Sequence, residues 1–258
     1  EMGLMEEAIR EYQEAVSLVE THDGTRRFFQ CSNLLGHCFL QSGKPKHAIT
    51  WFERALDTPD IARAQTLARQ LRPHVGYLKI GMEFFYAHGS RGYETVAAEG
   101  LPIFLDLKLH DIPNTVAEGM RSLMRLSPSP ALINLHASGG MAMMQAAAEA
   151  VGGRAKLIAV TLLTSLSNDD IWAAGFDAEM DTGAHAAGLA KLAKAAGLAG
   201  VVCSAHDLAG IRAATGPEFL TVVPGIRPTE NAVHDQKRVA TPKSAIAAGA
   251  AILVIGRA

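Results

Sequence analysis

The chain has 258 residues, a formal net charge of −2 and a hydrophobic content of 48%, enough for one large or two small globular domains with a sizeable core. The near-neutral balance with no Lys/Arg block excludes a basic footprint for nucleic acid. No apolar run reaches the roughly 20 residues of a membrane span, and the acidic, amphipathic start "EMGLMEEAIREY" is unlike a signal peptide, so a cytoplasmic protein is expected. Three cysteines (Cys31, Cys38, Cys203) without a CxxC pair, and ten histidines without HExxH spacing, point to reduced thiols and to no metal site.

In chain order, residues 1–56 predict helices that repeat. "GLMEEAIREYQEAV" from Gly3 lies over "GKPKHAITWFERAL" from Gly43, matching Ala8 to Ala48, Ile9 to Ile49, Tyr12 to Phe52, Ala15 to Ala55 and Val16 to Leu56. Small residues at Ala8 and Ala15 let a neighbouring helix approach, and "FFQCSNLLGHCFLQSG" supplies a preceding helix. The pattern resembles tetratricopeptide repeats, one helix pair preceded by the second helix of another. So short a segment buries too little by itself and needs further repeats or a surface to lean on. A partner peptide is its functional reading, and a leftover helical fragment is the plainer and favoured one.

From residue 57 to 258 the pattern changes. Apolar runs "VGYLKIG", "LPIFLDLK", "ALINLHA", "KLIAVTLL", "AGVVCSA", "FLTVVPG" and "AAILVIG" alternate with helical stretches such as "YETVAAEG", "AEGMRSLMRL", "MAMMQAAAEAV", "AGLAKLAKAAG" and "DLAGIRAAT". Near-continuous apolar strands between helices predict an α/β fold with a buried parallel sheet. Seven runs plus "ALD" make eight, the strand number of a (β/α)₈ TIM barrel.

Polar residues stand where such a barrel puts chemistry, at the C-terminal ends of strands. Lys79 closes one run, Asp106 and Lys108 the next and His136 the one after; Thr164, Arg227, and Gly256 with Arg257 follow later runs. In "LDLKLHDIPNTV", Asp106 and Lys108 are two apart and point the same way on a strand, while Asp111 and Thr115 follow as the chain turns into a helix. Alternating carboxylates and ammoniums hold each other ionised, in a site or in a structural salt-bridge ladder. The closing "VIGRA", with "PGIRP" and "DQ" upstream, points to a phosphorylated ligand gripped by backbone N–H groups and an arginine.

The motifs "ALDTPD", "YLKIG", "FLDLKLHDIPNTV", "HASGG", "VTLLTS", "PGIRP…DQ" and "VIGR", in this order from about Ala55 to Ala258, resemble those of orotidine 5′-monophosphate decarboxylases. The resemblance implies cofactor-independent loss of CO₂ from C6 of a phosphorylated pyrimidine nucleotide, giving UMP in pyrimidine synthesis. It implies that Lys108 donates the replacing proton, and that Asp106 sits beside the departing carboxylate. It also implies that Lys79 completes the array and bonds the ribose, and that Asp57 binds a ribose hydroxyl. It further implies that Thr164 contacts the pyrimidine, that Arg227, Gln236, Gly256 and Arg257 hold the phosphate, and that Asp111 and Thr115 reach into the site of a second subunit of a homodimer. His110, Ile112, Pro113 and Asn114 fall in the matching binding segment. The stretch "PTENAVHDQKRVATP" after Arg227 is the candidate mobile lid.

Two departures accompany the resemblance. Glu53 and Arg54 precede "ALD" where barrel-core side chains are expected, and the chain stops at Ala258 directly after Arg257, so an atypical first strand, no final helix and a spliced or truncated chain are expected. Two alternatives stand beside the decarboxylase. One is a Mg²⁺-dependent sugar-phosphate lyase or synthase of the same barrel group, which shares the D-x-K-x-x-D pattern. The other is a non-catalytic scaffold with an inert barrel and the repeat as its working part.

Overall fold

All seven apolar runs between residues 75 and 256 contain β-strands, because each is too short for a helix and is bounded by turn-forming residues. The strands are β1 Leu78–Gly81, β2 Ile103–Leu109, β3 Leu132–His136, β4 Lys156–Val160, β5 Gly200–Val202, β6 Leu220–Val223 and β7 Ile252–Leu253. The computed structural model describes residues 59–72, 75–226 and 240–255. The repeat-like segment 1–56, the "ALD" run with Asp57, and Arg227, Gln236, Gly256 and Arg257 lie outside the described residues, as does most of the expected lid.

Helices occupy the connections. They are α1 Ile61–Leu71, α2 Met82–Ala97, α3 Pro113–Leu123, α4 Gly140–Val151, α5 Asn168–Ala173, α6 Thr182–Ala195, α7 Leu208–Thr215 and α8 Pro242–Ala247. Their ends follow the local sequence. Asp60 caps α1 by accepting the Arg63 N–H at 3.1 Å, and Pro113 opens α3, where a missing N–H costs nothing. Ser167 and Asp170 form a reciprocal capping box on α5. Gly152 ends α4 in the left-handed conformation, at φ 58°, which a side chain would strain. The sequence patterns underlie α3, α4, α6 and α7 and the C-terminal half of α2. The first half of α2, which carries a kink at Gly89, and the short α5 lacked a clear apolar period.

The sheet is parallel throughout and ordered β1-β2-β3-β4-β5-β6-β7. Strict sequential order means that the chain winds in one direction, as in a barrel, without the reversal that makes a doubly wound sheet. Two apolar clusters flank it. The larger packs helix residues such as Tyr93, Met120, Met144 and Ile211 against alternate strand residues such as Ile103, Leu105, Ile133 and Leu135. The other strand positions (Phe104, Leu132, Ile158, Val160, Val202, Val222 and Ile252) form a second buried cluster on the opposite face. A flat sheet would expose that face to water. Its burial with residues from six strands accords with a sheet that curls round on itself, as a barrel wall does.

The β6–β7 edge is fastened from outside by one arginine. From α7, Arg212 donates to Gly249 O at 2.7 Å, Phe219 O at 2.5 Å, Pro217 O at 3.1 Å and Thr221 Oγ1 at 2.7 Å. Burial lowers its pKa from the ordinary guanidinium value, while the fixed fork satisfies several carbonyls at once.

Candidate active site

The period-2 alternation of the strands decides which side chains enter the barrel. Leu78 and Ile80 join the helix-facing core, so Lys79 between them faces inward. Phe104 belongs to the inner cluster, and Asp106 follows it on the same face. Leu132 likewise starts an inward series that continues through Asn134 to His136. These groups gather on the inner face of three adjacent strands, β1, β2 and β3.

Asp106 stands between two ammoniums. Lys108 Nζ lies 2.6 Å from its Oδ1, and Lys79 Nζ lies 3.5 Å from its Oδ2. Asp106 and Lys79 each keep only 13% of their side-chain surface in solvent, and Lys108 keeps 25%. Burial by itself would raise the Asp106 carboxyl. The charges of Lys79 and Lys108, with hydrogen bonds from Lys108 and Asn134, outweigh it and hold the carboxyl below its ordinary value. The aspartate therefore stays ionised inside the barrel.

The backbone here is strained. Among the described residues Lys108 is the one non-glycine with positive φ, at 53°, a left-handed conformation that costs a side-chain-bearing residue about 1–3 kcal/mol. It sits in a bulge, since the β2–β3 register shifts between Leu105 and Leu109. Asn134 spans the irregularity, accepting the Lys108 N–H at 2.8 Å and donating to Asp106 Oδ1 at 2.6 Å.

Two histidines close the neighbouring wall, with the rings of His110 and His136 centred 5.5 Å apart. Burial lowers the His136 pKa, and His110 and Lys108 push it further down against an opposing pull from Asp106. Thr164, just beyond β4, is buried at 8% exposure.

The structure thus brings Lys79, Asp106 and Lys108 together. Asp111 lies instead on the exposed turn into α3, where its carboxylate accepts the Ile112 N–H at 2.7 Å, and Thr115 lies exposed in the first turn of α3. Ile112 is itself 66% exposed. Sequence reasoning missed Asn134. The available signal was a lone amide inside the apolar run "ALINLHA", two residues before His136 and hence on the same face. Chemically, an ammonium held beside a carboxylate within low-dielectric walls can stabilise a negative charge developing next to it and then surrender a proton.

Comparison with known proteins identifies the scaffold. Residues 54–258 match the orotidine 5′-phosphate decarboxylase / HUMPS family. The orotidine 5′-phosphate decarboxylase of Novosphingobium aromaticivorans is 50% identical over 203 residues, spanning 79% of this chain and 88% of the relative. That of Moorella thermoacetica is 44% identical over 228 residues, spanning 85% and 89%. Among solved structures, orotidine 5′-phosphate decarboxylase from Lactobacillus acidophilus aligns with a TM-score of 0.67 at 32% identity, covering 81% of this chain and 90% of that one. The chain belongs to the orotidine 5′-phosphate decarboxylase / HUMPS family.

Proposed function

We infer, from that membership and from the charged array, that the chain is a carboxy-lyase converting orotidine 5′-monophosphate to UMP, a step of pyrimidine nucleotide synthesis. The observation that carries this is Asp106 of β2 wedged between Lys79 of β1 and Lys108 of its own strand. The bond between ring carbon C6 and the carboxylate breaks, CO₂ departs, and the bonding pair stays on C6. Lys108 Nζ stabilises that carbanion and protonates it, and its neutral amine regains a proton from solvent. Asp106 lies beside the departing carboxylate and keeps both lysines in register. Lys79 bonds the ribose.

The remaining roles follow the same reading. Asp57 takes a ribose hydroxyl, Thr164 contacts the pyrimidine, and Arg227, Gln236, Gly256 and Arg257 hold the phosphate. That phosphate supplies binding energy remote from the reacting carbon. Asp111 and Thr115 serve a second subunit of a homodimer, a reading supported by their exposure beside the exposed Ile112. A cytoplasmic location accords with the family, and no helix among the described residues is long and apolar enough to cross a membrane. The repeat-like segment 1–56 rests on the sequence pattern alone; a leftover helical fragment is its favoured reading, and a peptide partner is the other.

The Mg²⁺-dependent sugar-phosphate alternative is less favoured because both Asp106 oxygens already face ammoniums, and the compared curated relatives are named as decarboxylases. The deciding experiment follows the loss of orotidine 5′-monophosphate absorbance with EDTA present, beside a Lys108→Ala control. Turnover that survives EDTA and vanishes in the variant is expected. No turnover from folded protein would overturn the reading.

A further inference from the structure

The β2–β3 ladder breaks beside the reacting end of the site. Between the pairs Leu105↔Ile133 and Leu109↔Leu135, β2 advances four residues while β3 advances two. Backbone groups within such a bulge lose their ladder partners, and a buried N–H left without an acceptor is costly. Lys108 lies in this bulge at φ 53°, and its N–H is met by a side chain. It donates to Oδ1 of Asn134 at 2.8 Å.

Asn134 is fully buried, at 0% exposure, and the other end of its amide is also in use. Its Nδ2 donates to Asp106 Oδ1 at 2.6 Å, the same oxygen that receives the Lys108 ammonium at 2.6 Å. Reversing the amide would face its oxygen toward the carboxylate and its NH₂ toward an N–H, so the network admits one orientation.

We propose that Asn134 is a positioning residue for the reaction, joining the strained backbone of Lys108 to the carboxylate of Asp106 and so fixing where the Lys108 ammonium stands. The inference rests on the decarboxylase reading. Few side chains fit the task, which needs a neutral donor and a neutral acceptor on one short stem. Aspartate accepts from the Lys108 N–H but sets a second carboxylate against Asp106, and leucine offers neither bond. Without the Asn134 acceptor, the hydrogen bond that holds the Lys108 backbone in its left-handed conformation is lost. Relaxation toward ordinary strand geometry then carries its ammonium away from the reacting carbon, and a displacement of about 1 Å costs on the order of a hundredfold in rate. Substrate affinity changes little, because Asn134 holds the proton donor and not the phosphate.

The test compares wild type, Asn134→Leu, Asn134→Asp and Lys108→Ala in one orotidine 5′-monophosphate assay, with thermal melts and UMP binding measured alongside. We expect kcat to fall about a hundredfold in both Asn134 variants, with UMP affinity and KM within a few-fold of wild type. Asn134→Asp should recover activity as the pH is lowered, relative to Asn134→Leu. A protonated acid copies the amide, its hydroxyl donating to Asp106 while its carbonyl accepts from Lys108. A merely structural role would not produce that pH-dependent rescue.

Wild-type kcat in both variants, or parallel pH profiles for the two, overturns the inference while leaving the decarboxylase standing. If Asn134→Leu does not fold, the pH profile of the isosteric Asn134→Asp against wild type decides alone. Absence of turnover in the wild-type protein overturns both readings together.

Discussion

The ammonium of Lys108 rests 2.6 Å from the carboxylate of Asp106, two residues back on its own strand. Side chains so spaced share one face of a strand with roughly 6.6 Å between their Cα atoms, a span that a lysine folds back across. Lys79 approaches the other oxygen from the neighbouring strand at 3.5 Å. One carboxylate thus keeps two like charges close together within the barrel, and several consequences can be measured.

Replacing the carboxylate by an amide leaves two ammoniums adjacent and unneutralised. Asp106→Asn should therefore lose stability, by about 2–4 kcal/mol, the range for removing one partner of a buried pair discounted for solvent at Lys108. Its turnover of orotidine 5′-monophosphate should fall more than a hundredfold, since Lys108, the proposed proton donor, is no longer held. Urea unfolding and steady-state kinetics check the two halves separately, and an Asp106→Asn enzyme with near-normal kcat would remove the carboxylate from the mechanism.

Shared sites make a further prediction. If Asp111 completes the site of a second subunit, Lys108→Ala and Asp111→Ala are each inactive alone. In a mixed dimer one site carries both defects and the other carries none. Random re-association of equal amounts should restore about a quarter of wild-type activity, as two-fold symmetry requires. No recovery after demonstrated subunit exchange would place Asp111 in its own chain's site.

Acid should weaken the fold in two stages. The pKa of His136 is depressed in the folded protein, by burial first and then by His110 and Lys108, so protons bind the unfolded chain preferentially. Its contribution to stability is present above about pH 6.5 and is lost as the pH falls below that value. Asp106 is also depressed, its lysine partners outweighing burial, and its contribution is lost further down, below about pH 4. Denaturant unfolding from pH 8 to pH 4 should show the first decline, and His136→Asn should flatten it. Equal slopes for wild type and variant would contradict the assignment.

Arg212 offers a test away from the chemistry. Its guanidinium ties α7 to Gly249, Phe219, Pro217 and Thr221, which a lysine cannot reproduce with a single ammonium. Arg212→Lys should cost about 2–3 kcal/mol in urea unfolding, the scale of hydrogen bonds to a charged group left unmade. Because these contacts lie outside the barrel, kcat of the folded fraction should hardly change.

Much of this molecule is legible along the chain. The seven apolar runs are strands because short stretches rich in Val, Ile and Leu between turn-forming residues suit a sheet covered on both faces. The inward aim of Lys79 and Asp106 follows from the strand period alone, while that of Lys108 also depends on the bulge in which it sits. Their neighbours do not follow from it. Which residue meets the Lys108 N–H depends on inter-strand register and on a bulge, and the partner, Asn134, lies 26 residues away. The facing rings of His110 and His136 and the clamp around Arg212 are likewise products of pairing between distant segments. The sequence determined the elements and the faces they present, since those rest on local periodicity. Only the tertiary structure decided which polar groups satisfy one another, because a hydrogen bond is set by distances of a few tenths of an ångström that no local pattern encodes.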